Sequence, residues 1–315
     1  MGFASFLGRC VVRGVIILCV FACGMSTAAV AGTRALLVVG LGGTEEYAQE
    51  FQRDAEALDG HMRAVADDVV LLASGEREQV ASELAAFASR TDPDDSFVFI
   101  YVGHGSYDGE AFRFNVTGRD FTGVELNQWL NKIDAKHQLV VVTGSSSGAL
   151  LETMARDKRT TITATRSGEQ KNATVFGRYF SAALSDDSAD VNKDQRISAS
   201  EAFDYAKSKV EGLYEEENEM ATEHPQSQGP APVIVLAQLG SKALDPGLAD
   251  LIAQRESFEL EIEQLKAKKS GLASDEYFAQ LQDLLLGLAA VEGRIDAGQI
   301  EASNETDAPN EASEL

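Results

Sequence analysis

The sequence predicts an α/β fold, a three-layer α/β/α sandwich around a mostly parallel sheet of six strands. Two observations on residues 32–240 lead to this prediction. Short apolar runs alternate with amphipathic stretches, the order expected of parallel strands joined by crossover helices. The runs are also nearly continuous in Val, Ile and Leu, as in strands that are covered on both faces. Both patterns stop near residue 240, so we expect one domain over residues 32–240.

Each apolar run gives a strand, and each amphipathic stretch gives a helix. The strands are expected at Ala35–Val39, Asp68–Leu72, Phe97–Val102, Leu139–Thr143, Thr160–Ala164 and Pro232–Ala237. The helices are expected at Glu45–Leu58, Glu76–Ala88, Gly123–Ile133, Gly148–Ala155, Thr174–Leu184 and Ala199–Glu217.

A different pattern begins at Asp245-Pro246, where an N-cap residue precedes a proline at the first helical position. Apolar residues then recur at spacings of three and four on both sides of a Ser270-Gly271 break, which predicts a helical hairpin with a coiled-coil seam over residues 245–298. The hairpin could pack on the domain or on itself, or serve as an arm for self-association or partner docking. Residues 299–315 are acidic and poor in apolar side chains, and we expect a disordered tail there.

Residues 1–31 have the features of a secretory signal peptide. Arg9 and Arg13 precede an apolar run, and small residues around Ala29 form a cleavage signal. An uncleaved membrane anchor and a lipoprotein processed at Cys23 are the alternatives, and only these two would place the protein on a membrane. We therefore expect an exported protein, periplasmic or secreted. Because all three cysteines lie in this segment, cleavage would leave no thiol.

The composition limits the possible partners. The formal net charge is −23 at pH 7, from 27 basic and 50 acidic residues. A chain so acidic is repelled by nucleic acid and by anionic lipid, so neither is an expected partner. Peptides and proteins remain the expected ligands.

Polar residues with catalytic potential follow three neighbouring strands. The third predicted strand ends in Gly103-His104-Gly105, the fourth in Gly144-Ser145-Ser146-Ser147-Gly148, and the fifth in Thr165-Arg166-Ser167-Gly168. Each motif alone is weak, because a histidine between glycines is often a turn residue and serines before a helix are often caps. In an open parallel sheet, however, ligands bind where the carboxyl ends of the strands meet.

Together these motifs resemble the legumain-like and caspase-like cysteine peptidases. That family has its catalytic histidine in a His-Gly pair and its cysteine in an Ala-Cys-x-Ser-Gly turn after the next strand. The stretch IYVGHGSYDGE matches the first motif and VVTGSSSGA matches the second, while TATRSGE and TEHPQ look like bacterial members. The resemblance implies a caspase-like fold, His104 as the catalytic histidine, and an oxyanion site at the Gly105 N–H and the residue 145 backbone.

Serine stands where the family has its nucleophilic cysteine, because Ser145 occupies that position. A serine hydroxyl is far less acidic than a thiol and needs a base within hydrogen-bond reach. We therefore expect an inactive pseudopeptidase that serves as a peptide- or protein-binding module. The alternatives are an active endopeptidase with a Ser145–His104 pair and a non-enzymatic assembly protein acting through the hairpin. Arg166 is a speculative ligand contact, and the sequence does not indicate cleavage specificity.

A second polar motif, DVNKDQRISASE, has the spacing of a twelve-residue calcium loop. The oxygen ligands would come from Asp190, Asn192, Asp194, the Arg196 carbonyl, Ser198 and Glu201. Gln195 occupies the position where glycine normally makes the sharp turn, which should weaken binding. The pair Ser198 and Glu201 is also a capping box that needs no metal. The sequence thus predicts a weak, structural Ca²⁺ site and no other cofactor.

Overall fold

The computed structural model describes residues 31–230, 234–240 and 246–306. Residues 1–30 of the predicted signal peptide and residues 307–315 of the predicted tail lie outside these ranges. Within them, no helix combines the length and the apolar content needed to cross a membrane.

Six strands form one central sheet, which confirms the predicted fold class. In chain order the strands are β1 (Thr33–Val39), β2 (Asp68–Leu72), β3 (Ser96–Val102), β4 (Gly105–Tyr107), β5 (Phe112–Phe114), β6 (Phe121–Thr122), β7 (His137–Val142), β8 (Arg159–Thr163), β9 (Arg196–Ser198), β10 (Gln226–Gln228) and β11 (Val235–Gln238). The central sheet has the order β10-β8-β7-β3-β1-β2, and all its pairs are parallel except β10 with β8. The carboxyl ends of β3, β7 and β8 therefore meet at one edge.

Helices cover both faces of this sheet. The described α-helices are α1 (Glu45–Val65), α2 (Arg77–Arg90), α3 (Gly123–Leu130), α4 (Leu150–Met154), α5 (Phe176–Ala183), α6 (Ala199–Glu216), α7 (Pro246–Ala267) and α8 (Ser274–Thr306), and those that cover the sheet are α1 to α6. The buried side chains of α1, α5 and α6 belong to one apolar core, and those of α2, α3 and α4 belong to another. The sheet lies between these two cores, which is the three-layer arrangement.

The strand sequences are continuous apolar runs because each strand supplies both cores. In β1, Leu37 faces the core that contains Met62 of α1, and its neighbour Leu36 faces the core that contains Phe87 of α2. All four side chains are fully buried. Successive side chains of a strand point to opposite faces, so a strand with helices on both sides has no polar face.

The sixth strand is not where the sequence predicts it. The predicted strand Pro232–Ala237 is replaced in the sheet by β10, while β11 pairs antiparallel with β9 in a separate two-stranded sheet. The sequence of β10 is Gln-Ser-Gln, and Ser227 and Gln228 are exposed. An edge strand with polar side chains has no apolar run to reveal it, so the sequence pattern missed it.

A three-stranded antiparallel sheet, β4-β5-β6, follows His104 directly and has no counterpart in the sequence prediction. Aromatic side chains hold it against the second core. Phe114 stacks on Phe121 with ring centroids 4.4 Å apart and meets Tyr101 of β3 edge to face at 4.9 Å. This packing fixes the chain on the far side of the His104 turn.

The C-terminal helices α7 and α8 form the predicted hairpin. Their contact contains Ile252, Val291 and Ile295, with Leu251 and Phe258 beside them. Helix α8 continues to Thr306, past residue 298, so part of the segment expected to be disordered is helical. Alanine and glutamate in that segment favour helix and extend α8 from its packed part.

Candidate active site

His104 lies at the carboxyl end of β3, in a pocket made by α1. Its ring meets the rings of Tyr47 and Phe51 edge-on, each with centroids 4.9 Å apart. Its Nε2 lies 3.1 Å from the carbonyl oxygen of Gly42. Because a carbonyl only accepts hydrogen bonds, Nε2 must carry a proton and donate it. Burial lowers the pKa of His104 below its ordinary value of 6.5, so the ring is neutral at pH 7 with its lone pair on Nδ1.

Ser145 lies at the carboxyl end of β7 and is 5% exposed. Within the described ranges its hydroxyl makes no hydrogen bond, either to His104 or to any other group. The structure brings the two predicted loops together but does not form a Ser–His pair. A hydroxyl without a base has no route for losing its proton during attack on a carbonyl.

The two loops touch through their backbones. A Cβ on Gly105 would lie 2.7 Å from the carbonyl oxygen of Ser145, and one on Gly144 would lie 2.1 Å from the carbonyl oxygen of Gly103. Only glycine allows this approach at either position. Gly105 begins β4, and its amide, the predicted oxyanion donor, adjoins this contact.

Ser147 and Gly148 connect this turn to the end of β8. The Ser147 hydroxyl accepts hydrogen bonds from the backbone amides of Ala164 at 3.1 Å and Thr165 at 3.3 Å. A Cβ on Gly148 would lie 2.1 Å from the amide nitrogen of Ser167. The Ser-Gly part of the motif is therefore explained by packing between neighbouring loops.

Ser146 has an unusual conformation between these two positions. Its φ of 59° and ψ of 5° lie in the left-handed region. Its side chain is 1% exposed, and its Oγ has no hydrogen-bond partner among the described residues. Its amide donates to the carbonyl oxygen of Gln170 at 2.8 Å, which holds the turn to the loop after β8.

Gln170 organises the third loop, and sequence reasoning missed it. Its Oε1 accepts a hydrogen bond from the Arg166 amide at 2.8 Å, and its Nε2 lies 2.6 Å from Nδ1 of His224. Since the amide nitrogen donates, the His224 proton is on Nε2. Arg166 is exposed, and its guanidinium makes no ion pair or hydrogen bond within the described part of the chain. His224 thus supports a loop that carries an exposed cation and that is bound by the Ser146 amide.

Glu223 is a buried carboxylate next to this network. It is 2% exposed and accepts hydrogen bonds from the amides of Val175 at 2.8 Å and Phe176 at 3.3 Å, at the start of α5. Burial raises its pKa from 4.5 to about 7, against the opposing effect of those hydrogen bonds. No sequence pattern indicated it, because a lone glutamate near a proline is typical of surface loops.

The predicted calcium loop has its carboxylates turned inward. Asp190 accepts hydrogen bonds from the amides of Asp194 at 3.1 Å and Gln195 at 2.9 Å. Gln195 has a φ of 61°, so it adopts the turn that glycine usually makes. Glu201 accepts hydrogen bonds from the Ser198 amide at 3.0 Å and hydroxyl at 2.7 Å, which forms the predicted capping box. The described residues contain no group of three or more His, Cys, Asp or Glu side chains arranged to hold a metal.

Comparison with known proteins agrees with this geometry. No curated protein matched the sequence. The family model of the Peptidase C13 family matches residues 54–229, more than half of the 315 residues, and this range contains both His104 and Ser145. The chain belongs to the Peptidase C13 family, the legumain family of cysteine peptidases.

Proposed function

We propose that this protein is an exported legumain-family homologue without peptidase activity, which binds a peptide or protein segment at the β3–β7–β8 edge. The observation that carries the proposal is the absence of a chemical partner for Ser145. The family's thiol is missing, and the replacing hydroxyl makes no hydrogen bond to His104 within the described residues.

The orientation of His104 supports the same conclusion. Its Nε2–H is used by the Gly42 carbonyl, and its ring is fixed between two aromatic rings of α1. To act as a base toward Ser145, the ring would need to present Nδ1 within about 3.2 Å of the hydroxyl. An active Ser145–His104 endopeptidase, the alternative function, requires this rearrangement.

The binding role rests on the preserved scaffold. Gly105, Gly144 and Gly148 keep the loops in backbone contact, and Arg166, whose backbone packs on Gly148, has an exposed side chain. A guanidinium without a protein partner favours a ligand with a carboxylate or a carbonyl at this position. Export of the protein is proposed from the basic, apolar and small-residue pattern of residues 1–31, and cell fractionation of the full chain would test it.

A fluorogenic peptide panel, with asparagine, aspartate and basic residues before the cleaved bond, tests the proposal. Protein lacking residues 1–31 would be assayed as the natural sequence and as the Ser145→Ala, Ser145→Cys and Ser146→Cys variants. We expect hydrolysis only from Ser145→Cys, and we expect a further His104→Ala change to remove it. Ser146→Cys is the matched control because it places a thiol one residue away. Hydrolysis by the natural sequence that Ser145→Ala abolishes would overturn the proposal and establish the endopeptidase.

Binding is measured separately, by fluorescence anisotropy of the same peptides without turnover. We expect the natural sequence and Ser145→Ala to bind equally, because the serine hydroxyl is not needed for binding. Arg166→Gln should weaken the binding of peptides with an acidic side chain. If no peptide binds, the proposed peptide-binding role of the β3–β7–β8 edge is wrong.

Assembly through the hairpin is a second candidate function, favoured by exposed apolar side chains on α8. Phe278 is 58%, Leu285 47% and Leu286 62% exposed. Light scattering after size exclusion would test self-association, with Leu285→Glu as the variant. If the protein is a monomer at all concentrations, self-association is excluded, and docking of another protein is the remaining form of assembly.

A further inference from the structure

A buried ion pair links the C-terminal hairpin to the acidic loop Asp190–Glu201. The Nη2 of Arg255 in α7 lies 2.6 Å from Oδ2 of Asp194. Arg255 is 4% exposed and Asp194 is also 4% exposed, so the pair is buried on both sides. The two residues are 61 positions apart in the chain and belong to different parts of the fold.

Within the loop, Asp194 differs from the other carboxylates in where its hydrogen bonds come from. Asp190 and Glu201 accept theirs from groups of the loop itself, as does Oδ1 of Asp194, which accepts from the Arg196 amide at 2.8 Å. Oδ2 of Asp194 faces the Arg255 guanidinium, and Arg196 Nε lies farther away at 3.9 Å. A buried carboxylate needs a compensating positive charge, and the hairpin supplies it here.

The buried Arg255 guanidinium also requires a nearby negative charge, and the loop provides one. It also lies 3.5 Å from Glu259, one turn along α7, whose side chain is partly exposed. A pair at this spacing within a helix contributes little, typically a few tenths of a kcal/mol. Of these two carboxylates, Asp194 is the closer and the more buried, and therefore the stronger partner of the guanidinium.

The apolar contacts of the hairpin do not replace this link. Among the side chains that the structure describes, the apolar cluster around Ile252, Val291 and Ile295 contains only residues of the hairpin, and the cores of the domain contain none of them. Apolar packing thus holds α7 to α8, and the described link between α7 and the loop is polar. A buried ion pair of fixed geometry selects one register, which nonspecific apolar contact does not.

We propose that the Asp190–Glu201 loop is the docking site of the C-terminal hairpin, and that the Arg255 guanidinium is the group it recognises. The loop holds the Asp194 carboxylate where a cation can pair with it, and α7 of the same chain provides that cation, the Arg255 guanidinium. Docking through this buried pair makes the hairpin position dependent on the charge of both residues. The inference concerns the hairpin and does not depend on the proposed binding function.

Hydrogen–deuterium exchange with mass spectrometry on the full chain tests this docking. The variants are Arg255→Gln, Asp194→Asn, their combination, and Arg255→Lys, with Arg294→Gln as the matched control, an exposed arginine on α8 of the same hairpin. In both single neutral variants we expect peptides from the loop and from α7 to exchange at least about tenfold faster, because each change removes the closest opposite charge from a buried group. The double variant should exchange no faster than the quicker single variant. The exchange rate of Arg255→Lys should lie between those of the natural protein and Arg255→Gln.

The exchange rates of peptides from different parts of the chain decide whether the proposal holds. Peptides from β3 and β7 report whether the domain remains folded, and we expect their exchange to be unchanged in every variant, as all peptides should be in Arg294→Gln. Unchanged exchange of α7 in Asp194→Asn would overturn the proposal, since the loop would then not hold the hairpin. Faster exchange of α7 alone in Arg255→Gln, with the loop unaffected, would also overturn it, because Arg255 would then act only within its own helix.

Discussion

Glu223 makes the stability of the domain depend on pH in the direction opposite to that of an ordinary salt-bridged carboxylate. Burial raises its pKa from 4.5 in the unfolded chain to about 7 in the folded one. Between these values the folded state holds the proton more strongly, so the free energy of unfolding decreases as pH rises from 4.5 to 7. The difference of about 2.5 pKa units corresponds to ~3 kcal/mol at 1.36 kcal/mol each.

The Glu223→Gln variant removes this titration and keeps the size of the side chain. Its amide oxygen can still accept one hydrogen bond from the start of α5, although the second is lost. We therefore expect the stability of the variant, relative to the natural protein, to improve by ~3 kcal/mol as pH rises from 4.5 to 8. The change with pH is the decisive quantity, because any constant cost of the substitution cancels.

Urea unfolding followed by circular dichroism at intervals of half a pH unit would measure this difference. Glu211→Gln is the matched control, since Glu211 is exposed on α6 and its curve should follow that of the natural protein. Asp54, whose pKa is raised to about 6 mainly by burial, contributes in the same direction to all three proteins and cancels from the comparison. Parallel curves for Glu223→Gln and the natural protein between pH 4.5 and 8 would refute the reasoning.

The remaining predictions concern the loops. Gly148→Ala should cost more than about 3 kcal/mol in urea unfolding, because the new methyl group meets backbone, whereas Gly60→Ala, in open space within α1, should stabilise by about 0.5–1 kcal/mol. Ser147→Ala should cost about 1–3 kcal/mol in the same assay, since it leaves the buried Thr165 amide without its acceptor, whereas the Ala164 amide keeps its bond to the Val142 carbonyl. Gln195→Gly should raise the midpoint of thermal unfolding by relieving a left-handed residue, worth about 1 kcal/mol, and no change would show that this turn is unstrained. The calcium site predicted from the sequence requires Asp194, which pairs with Arg255 in the structure. A Kd of about 10⁻⁴–10⁻³ M in calorimetry that Asp190→Asn abolishes would show that Ca²⁺ displaces this pair, and absence of binding would contradict the sequence prediction.

The candidate site was predictable where a short motif follows a strand. The glycines around His104 and Ser145 leave the backbone free to turn, and parallel strands bring their carboxyl ends to one edge, so both loops could be placed together from the sequence. The supporting residues could not be predicted in this way. Gln170 and Glu223 act through contacts with loops about fifty positions away in the chain, and no local pattern announces such a contact.

The sequence by itself determined the three-layer arrangement of this protein and the absence of a thiol nucleophile at position 145. Strands buried on both faces need apolar side chains at every position, so β1, β3 and β7 are visible as runs, and the serine at position 145 shows without any structure that no thiolate can form there. The tertiary structure decided three further points: the polar edge strand β10, the hydrogen bond of His104 to Gly42 in place of one to Ser145 among the described residues, and the pairing of Asp194 with Arg255. The physical reason is the same in each case. Apolar periodicity records how much of a side chain is buried, whereas hydrogen bonds and ion pairs depend on distances of about 3 Å between atoms that only the folded chain brings together.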